Sequence, residues 1–137
     1  MKSSAMRPPS DGRVAGYMTR KERQMKEKFI VKVAEDGTVD KIPFKKESSY
    51  EQLSEAVGGY LELAPVPPVK HVGSYAIDCF VDEEGAVKIP PRPMNVKISA
   101  WAGRTLLGNA VFVGHDGMGE TVGLNRADAD YIADMFR

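Results

Sequence analysis

The chain has 137 residues, 42% of them apolar and 28% charged, a balance that supports one hydrophobic core and excludes wholesale disorder. Cys79 is the only cysteine, which rules out an intramolecular disulfide and a zinc site built on paired thiolates and points to a reducing compartment, the cytoplasm. A formal net charge of zero hides an asymmetry: residues 1–28 hold eight basic residues against Asp11, Glu22 and Glu27, a net of +5, and the other eleven basic and sixteen acidic residues leave 29–137 at −5. No stretch approaches the roughly 18 consecutive apolar residues of a membrane helix, and the polar N-terminus lacks the apolar run of a secretory signal.

Residues 1–18, with Pro8-Pro9-Ser10-Asp11-Gly12 and no hydrophobic period, read as a flexible arm. Thr19 and Glu22 have capping-box spacing ahead of a short polar helix over 20–28. From Phe29 the chain turns β-rich: 29–33 and 39–42 flank Glu35-Asp36-Gly37, where Asp-Gly supplies the positive φ of a tight turn, and predict a hairpin. Ser49 and Gln52 then signal a helix over 49–57 with Tyr50, Leu53, Ala56 and Val57 on one face, stopped by Gly58-Gly59.

A strand over 60–63 ends at Pro65, Pro67 and Pro68. The next, 75–82, alternates, placing Tyr75, Ile77, Cys79 and Val81 on one face and Asp78 with Phe80 on the other. It turns at Glu84-Gly85 and is expected to return through 86–89 as a second hairpin. Pro90, Pro91 and Pro93 forbid helix and central strand. Asn95 caps a short helical turn running to about Ala102, closed by Gly103; 106–113 is apolar enough for a central strand; the turn 114–119 leads to Glu120-Thr121-Val122. Asn125 caps a last helix, 126–136, with Asp128 at its third position favourable to the helix dipole and Tyr131, Ile132, Met135 and Phe136 as its docking stripe. The pattern is that of an α+β fold: a small, mostly antiparallel sheet of hairpins with two main helices over 49–57 and 126–136. Residues 1–28 form a basic N-terminal arm and 29–137 the folded domain.

Several blocks carry a resemblance: Tyr50-Glu51-Gln52-Leu53, then Val57-Gly58-Gly59-Tyr60-Leu61-Glu62-Leu63, Asp82-Glu83-Glu84-Gly85, Asn95, Leu107-Gly108-Asn109-Ala110-Val111-Phe112-Val113-Gly114, and Gly119-Glu120. In this order they are similar to a family of short phage, plasmid and bacterial mobile-element proteins catalogued as a domain of unknown function. The resemblance covers about 29–133 and implies a small α+β fold, without an activity or catalytic residues. Members of that family begin close to the first strand, and Met25 sits where such a start falls, so residues 1–24 are either a functional arm or the product of a start codon placed too early.

Candidate chemistry is sparse. His71 and His115 are the only imidazoles; Asp116 stands beside His115 as a possible orienting carboxylate, but Gly-His-Asp-Gly is also simply good loop chemistry. Cys79 among apolar neighbours reads as a buried, inert thiol. Gly114, Gly117 and Gly119 have the spacing of neither phosphate-binding fingerprint, and Asp82-Glu83-Glu84-Gly85 lacks the alternate ligands of a calcium loop. No catalytic set, metal site or cofactor is expected. Two surfaces remain: Arg20, Lys21, Arg23, Lys26 and Lys28 as phosphate-contacting cations, and Trp101 with Arg92 of the proline segment as partner anchors. The expected function is that of a non-enzymatic cytoplasmic accessory protein binding a host or phage macromolecule or a small ligand, with nucleic-acid binding through the arm as the alternative and homo-oligomerisation open through an edge strand.

Overall fold

Ala110–His115 is a largely apolar strand, and its residues 110–114 are all buried. A strand with water on neither side needs partners along both edges and cover on both faces, and the rest of the fold supplies them. The computed structural model describes residues 27–137. The expected arm and polar helix, with Arg20, Lys21, Arg23 and Lys26, lie outside the described residues.

We label the strands β1 (Phe29–Val33), β2 (Val39–Pro43), β3 (Leu61–Leu63), β4 (Ala76–Asp82), β5 (Ala110–His115) and β6 (Thr121–Val122). The helices are α1 (Ser49–Val57), preceded by a 3-10 turn over Lys46–Ser48, α2 (Val96–Ala102) and α3 (Arg126–Phe136). The strands form one six-stranded sheet in the order β2-β1-β5-β4-β3, with β6 pairing β5 beyond the end of β1. Every pairing is antiparallel, and Phe112 at the centre faces Val31 on one side and Cys79 on the other. The fold is therefore α+β, with the expected first hairpin in place and Gly37 at φ 93° in its turn.

The two faces of the sheet are covered by different helices. On one, Val31, Val33, Cys79, Val81, Ala110 and Phe112 pack with Ile98 of α2 and Ala129, Ile132, Ala133 and Phe136 of α3. On the other, Ile30, Val111 and Val113 pack with Leu53, Ala56 and Val57 of α1, and Phe80 borders them. The expected alternation along β4 holds, because the pleat sends Cys79 and Val81 to the α3 face and Phe80 to the α1 face. Burying each large aliphatic or aromatic side chain contributes about 1.5–3 kcal/mol, so this double-sided core is the main source of stability.

The caps show what local signals specify and what packing overrides. Gly58 and Gly103 close α1 and α2 in the left-handed region, at φ 81° and 72°, and Asn125 caps α3 by accepting from the Asp128 amide at 2.8 Å. Ser49 does not cap α1: Gln52 folds back, accepting from the Lys45 amide at 2.9 Å and donating to the Pro43 carbonyl at 2.7 Å, so the end of β2 rather than a serine holds the helix start. Tyr50 and Tyr131, expected on the docking stripes, are 54% and 48% exposed, because the sheet is met by Gln52 and Leu53 on α1 and by Asp128 and Ala129 on α3.

Residues 86–89 do not return as a second hairpin. Both edges of β4 are already occupied, by β5 and by β3, whose Leu61 and Leu63 pair with Asp82 and Phe80. The segment coils instead, with the Val87 and Lys88 amides donating to the Glu84 carbonyl. The central strand starts at Ala110 rather than Leu106, because the Leu106 amide donates to the Ser99 hydroxyl at 2.8 Å and Gly108 turns at φ 78°.

Asn95 is the local hub of this region. It is buried, its carboxamide oxygen accepts from the Ile98 amide at 3.2 Å, and its nitrogen donates to the Val33 and Gly108 carbonyls at 2.9 and 3.0 Å. Asn95→Ala removes a helix cap and strands two buried carbonyls, and it is expected to cost about 3 kcal/mol. A fall in the urea midpoint with an unchanged denaturant slope is the outcome to look for.

Candidate functional site

Three clusters stand out among the described residues, two of them polar and built where a loop meets the sheet. The first lies at the open end of β4 and β5. Ala76 pairs with His115, so Asp78 sits on the adjacent diagonal of the same face, and its carboxylate meets His115 Nδ1 at 2.7 Å. The carboxylate orienting His115 is thus Asp78 and not the neighbouring Asp116, which is spent bracing its own turn by accepting from the Met118 and Glu120 amides at 2.9 Å. Ser74 and His115 line one hollow of about 370 Å³, yet among the described residues no hydrogen bond joins them.

Directly behind this hollow, Tyr75 lies against Gly114, where an added Cβ would come within 3.1 Å of the ring and of Val122, so a side chain there would push those neighbours aside. The Tyr75 hydroxyl donates to Asp128 at 2.6 Å and accepts from the Asn125 amide at 2.9 Å. Asp128 also accepts from the Val72 and Gly73 amides at 2.8 and 2.9 Å. Burial alone would raise the Asp128 carboxyl, but the tyrosine hydroxyl, the two amides and nearby His71 hold it below the ordinary carboxylate range. The same desolvation and the carboxylate at its hydroxyl push Tyr75 above its ordinary value. His71, stacked on Tyr75 with centroids 5.8 Å apart, turns its Nδ1 to the Val69 carbonyl.

The second cluster surrounds Asp82, whose side chain is fully buried. Its carboxylate accepts from the Glu84 amide at 2.9 Å, pairs with Lys88 and lies 3.6 Å from the Arg92 guanidinium. Lys88 and Arg92 also donate to the Gly58 carbonyl at 2.7 and 3.1 Å. A side chain at Gly59 would collide with the Asp82 carboxylate, so the double glycine has two separate causes: a left-handed cap at Gly58 and close approach at Gly59. Burial pushes the Asp82 carboxyl up, and Lys88, the Glu84 amide and Arg92 outweigh it, leaving a net value below the ordinary range. Arg92, expected as a partner anchor, is thereby placed inside the clamp holding the 83–91 loop.

The third cluster is apolar. Trp101 is half-buried, edge-on to Phe136 at 5.4 Å and 5.8 Å from Phe112. With Ala100, Met135 and Phe136 it floors a groove of about 440 Å³ rimmed by Lys97 and Arg137. Of the five arm cations, Lys28 alone falls within the described residues; it is exposed at the rim of a second hollow with Gly123 and Asn125. Cys79 is buried against the α3 face, opposite the His115–Asp78 pair, and desolvation followed by the nearby Asp78 charge pushes its thiol up to about 12. Gly114 belongs to β5, and the glycine loop after it leads into β6 with no helix N-terminus facing an anion.

These features define an α+β protein whose six-stranded antiparallel sheet is closed at both ends by carboxylate-anchored loops. The chain belongs to the family described as a domain of unknown function (DUF3846), whose match spans residues 25–137. No curated protein and no solved structure matches it. Sequence reasoning missed Asp78 as the partner of His115 and the loop-anchoring roles of Asp82 and Asp128: in the sequence Asp82 reads as part of an acidic turn and Asp128 as a helix-start acid, while the alternation of β4 places Asp78 on the face opposite Cys79.

Two outcomes follow from this electrostatics. Folded-state carboxyl values below the unfolded value of about 3.9 mean that Asp82 and Asp128 stabilise fully above that pH, and that this contribution is lost as pH falls from about 4 through the folded-state values. Asp82→Asn and Asp128→Asn are expected to cost about 3 and 2 kcal/mol at pH 7 and clearly less at pH 3, read from urea midpoints at the two pH values. Cys79 is expected to resist iodoacetamide at pH 8 in the native protein and to react on unfolding, with mass spectrometry reporting the adduct.

Proposed function

We propose that this is a non-enzymatic accessory protein of a phage or mobile element that acts by binding a macromolecule or a small ligand through its folded body. The observation that carries the reading is the separation of its reactive groups. The thiol is buried against the α3 face, the His115–Asp78 pair stands on the other, and the Ser74 hydroxyl beside that pair is not hydrogen-bonded to it. A nucleophilic mechanism needs its nucleophile, base and orienting group in one hydrogen-bonded chain. The resemblance of the sequence blocks to phage and mobile-element proteins supports the biological setting, and a phage protein that sequesters a signalling nucleotide falls within it.

The nucleic-acid reading draws on one observation: Lys28 is exposed where the basic segment joins the body. With residues 29–137 at −5, overall charge favours the arm as the source of phosphate contacts. The two readings separate on a chain lacking residues 1–24. If Arg20, Lys21, Arg23, Lys26 and Lys28 all engage duplex DNA, the log–log slope of affinity against salt is about −4.5, and the deletion, which leaves Lys26 and Lys28, brings it to about −1.8. Under the preferred reading no such salt-dependent binding is found, and a thermal-shift screen of the shortened chain with nucleotides still registers a ligand, which at 100 times its dissociation constant stabilises by about 2.7 kcal/mol. Turnover of any substrate by the shortened chain, abolished by His115→Ala, would overturn the non-enzymatic reading.

A further inference from the structure

The 83–91 loop has an unusual division of labour. Lys88 points inward to Asp82 and the Gly58 carbonyl, and Arg92 closes the loop behind it on the same two groups. The flanking Val87 and Ile89 are left 75% and 98% exposed, followed by exposed Pro90 and Pro91. Scattered exposed aliphatics need no explanation, but these stand together on a segment held by ion pairs and proline, so little conformational entropy is lost when they are covered. Tyr60, whose carbonyl accepts from the Glu83 amide, is itself 60% exposed. The outward charges beside the apolar knob of Val87 and Ile89 are the carboxylates of Glu83 and Glu84, neither of which has an ion-pair partner among the described residues.

The groove at Trp101 has the opposite character. Its floor is Ala100, Trp101, Met135 and Phe136, and both charged residues at its rim are cations. Lys97 donates to the neutral Gly37 carbonyl at 2.9 Å and has no ion-pair partner among the described residues, and exposed Arg137 makes a 3.3 Å contact with exposed Asp134. The knob is clamped at the C-terminal end of α1, whereas the groove opens between α2 and α3 against the other face of the sheet.

From this pairing of an apolar, acid-flanked knob with an apolar, cation-rimmed groove, we infer that the partner of each surface is a second copy of this chain: Val87 and Ile89 of one copy seat on Trp101 of the other, with Glu83 and Glu84 facing Lys97 and Arg137. The contact is between unlike surfaces on opposite faces of the sheet, so it joins copies head to tail, and the dimer is the first step towards a ring or an open chain.

Sedimentation velocity on the full chain tests this. The wild type is expected to dimerise, less strongly as salt rises. Ile89→Glu, which alters a side chain with no core role, and the doubly reversed Lys97→Glu/Arg137→Glu are each expected to weaken self-association about tenfold or more. An equimolar mixture of those two variants keeps one intact knob and one intact groove per pair, so mixing is expected to restore a heterodimer that neither variant forms alone. Adding Glu83→Lys and Glu84→Lys to the groove variant is expected to recover its dimer. A wild type that stays monomeric, a dimer indifferent to Ile89→Glu, or a mixture that fails to associate would each overturn the inference.

Discussion

Everything in this fold answers to the desolvation of β5. Five consecutive buried residues, 110–114, have neither solvent nor each other to satisfy their backbone groups, so β1 and β6 along one edge and β4 along the other are obligatory. Their side chains alternate between two faces, so one helix layer cannot suffice. α1 covers Val111 and Val113, and α2 with α3 covers Ala110 and Phe112. The aromatic contacts of Phe112 with Trp101 and Phe136 mark where the thicker of the two layers closes.

Helices on both faces of an antiparallel sheet force long connections around its ends, and those connections are tied down by buried carboxylates. Asp128 holds the 72–75 bend through two amides and a phenol, and Asp82 holds the 83–91 loop through one amide and two cations. The two solutions differ in consequence. The Asp128 network uses neutral donors, whereas the Asp82 clamp consumes the loop's own cations and leaves its aliphatic side chains and remaining acids facing outwards. A loop fixed in that way is a preorganised surface.

Much of the architecture was legible because its signals are local. Asp36-Gly37, Gly58, Asn95, Gly103 and Asn125 do in the structure what turn and cap chemistry predicts, and the alternation along β4 sorts Cys79 from Phe80 correctly. The failures are equally specific. Ser49 lost the α1 cap to Gln52, because Gln52 can reach backbone that only the fold brings near. The segment 86–89 has strand-forming residues and a good turn before it, yet β3 already occupies the edge it would need.

Taken alone, then, the amino-acid sequence determined the α+β class, the first hairpin, the positions of the three helices, the burial of the lone thiol and the charge contrast between residues 1–28 and the rest. These depend on neighbours within a few residues or on composition. Tertiary structure decided the strand order, the pairing of His115 with Asp78, the burial of Asp82 and Asp128, and the exposure of Val87 and Ile89. Each of those joins chain segments separated by many residues, and a carboxylate in a sequence looks the same whether a sheet edge, a glycine or open water will eventually face it.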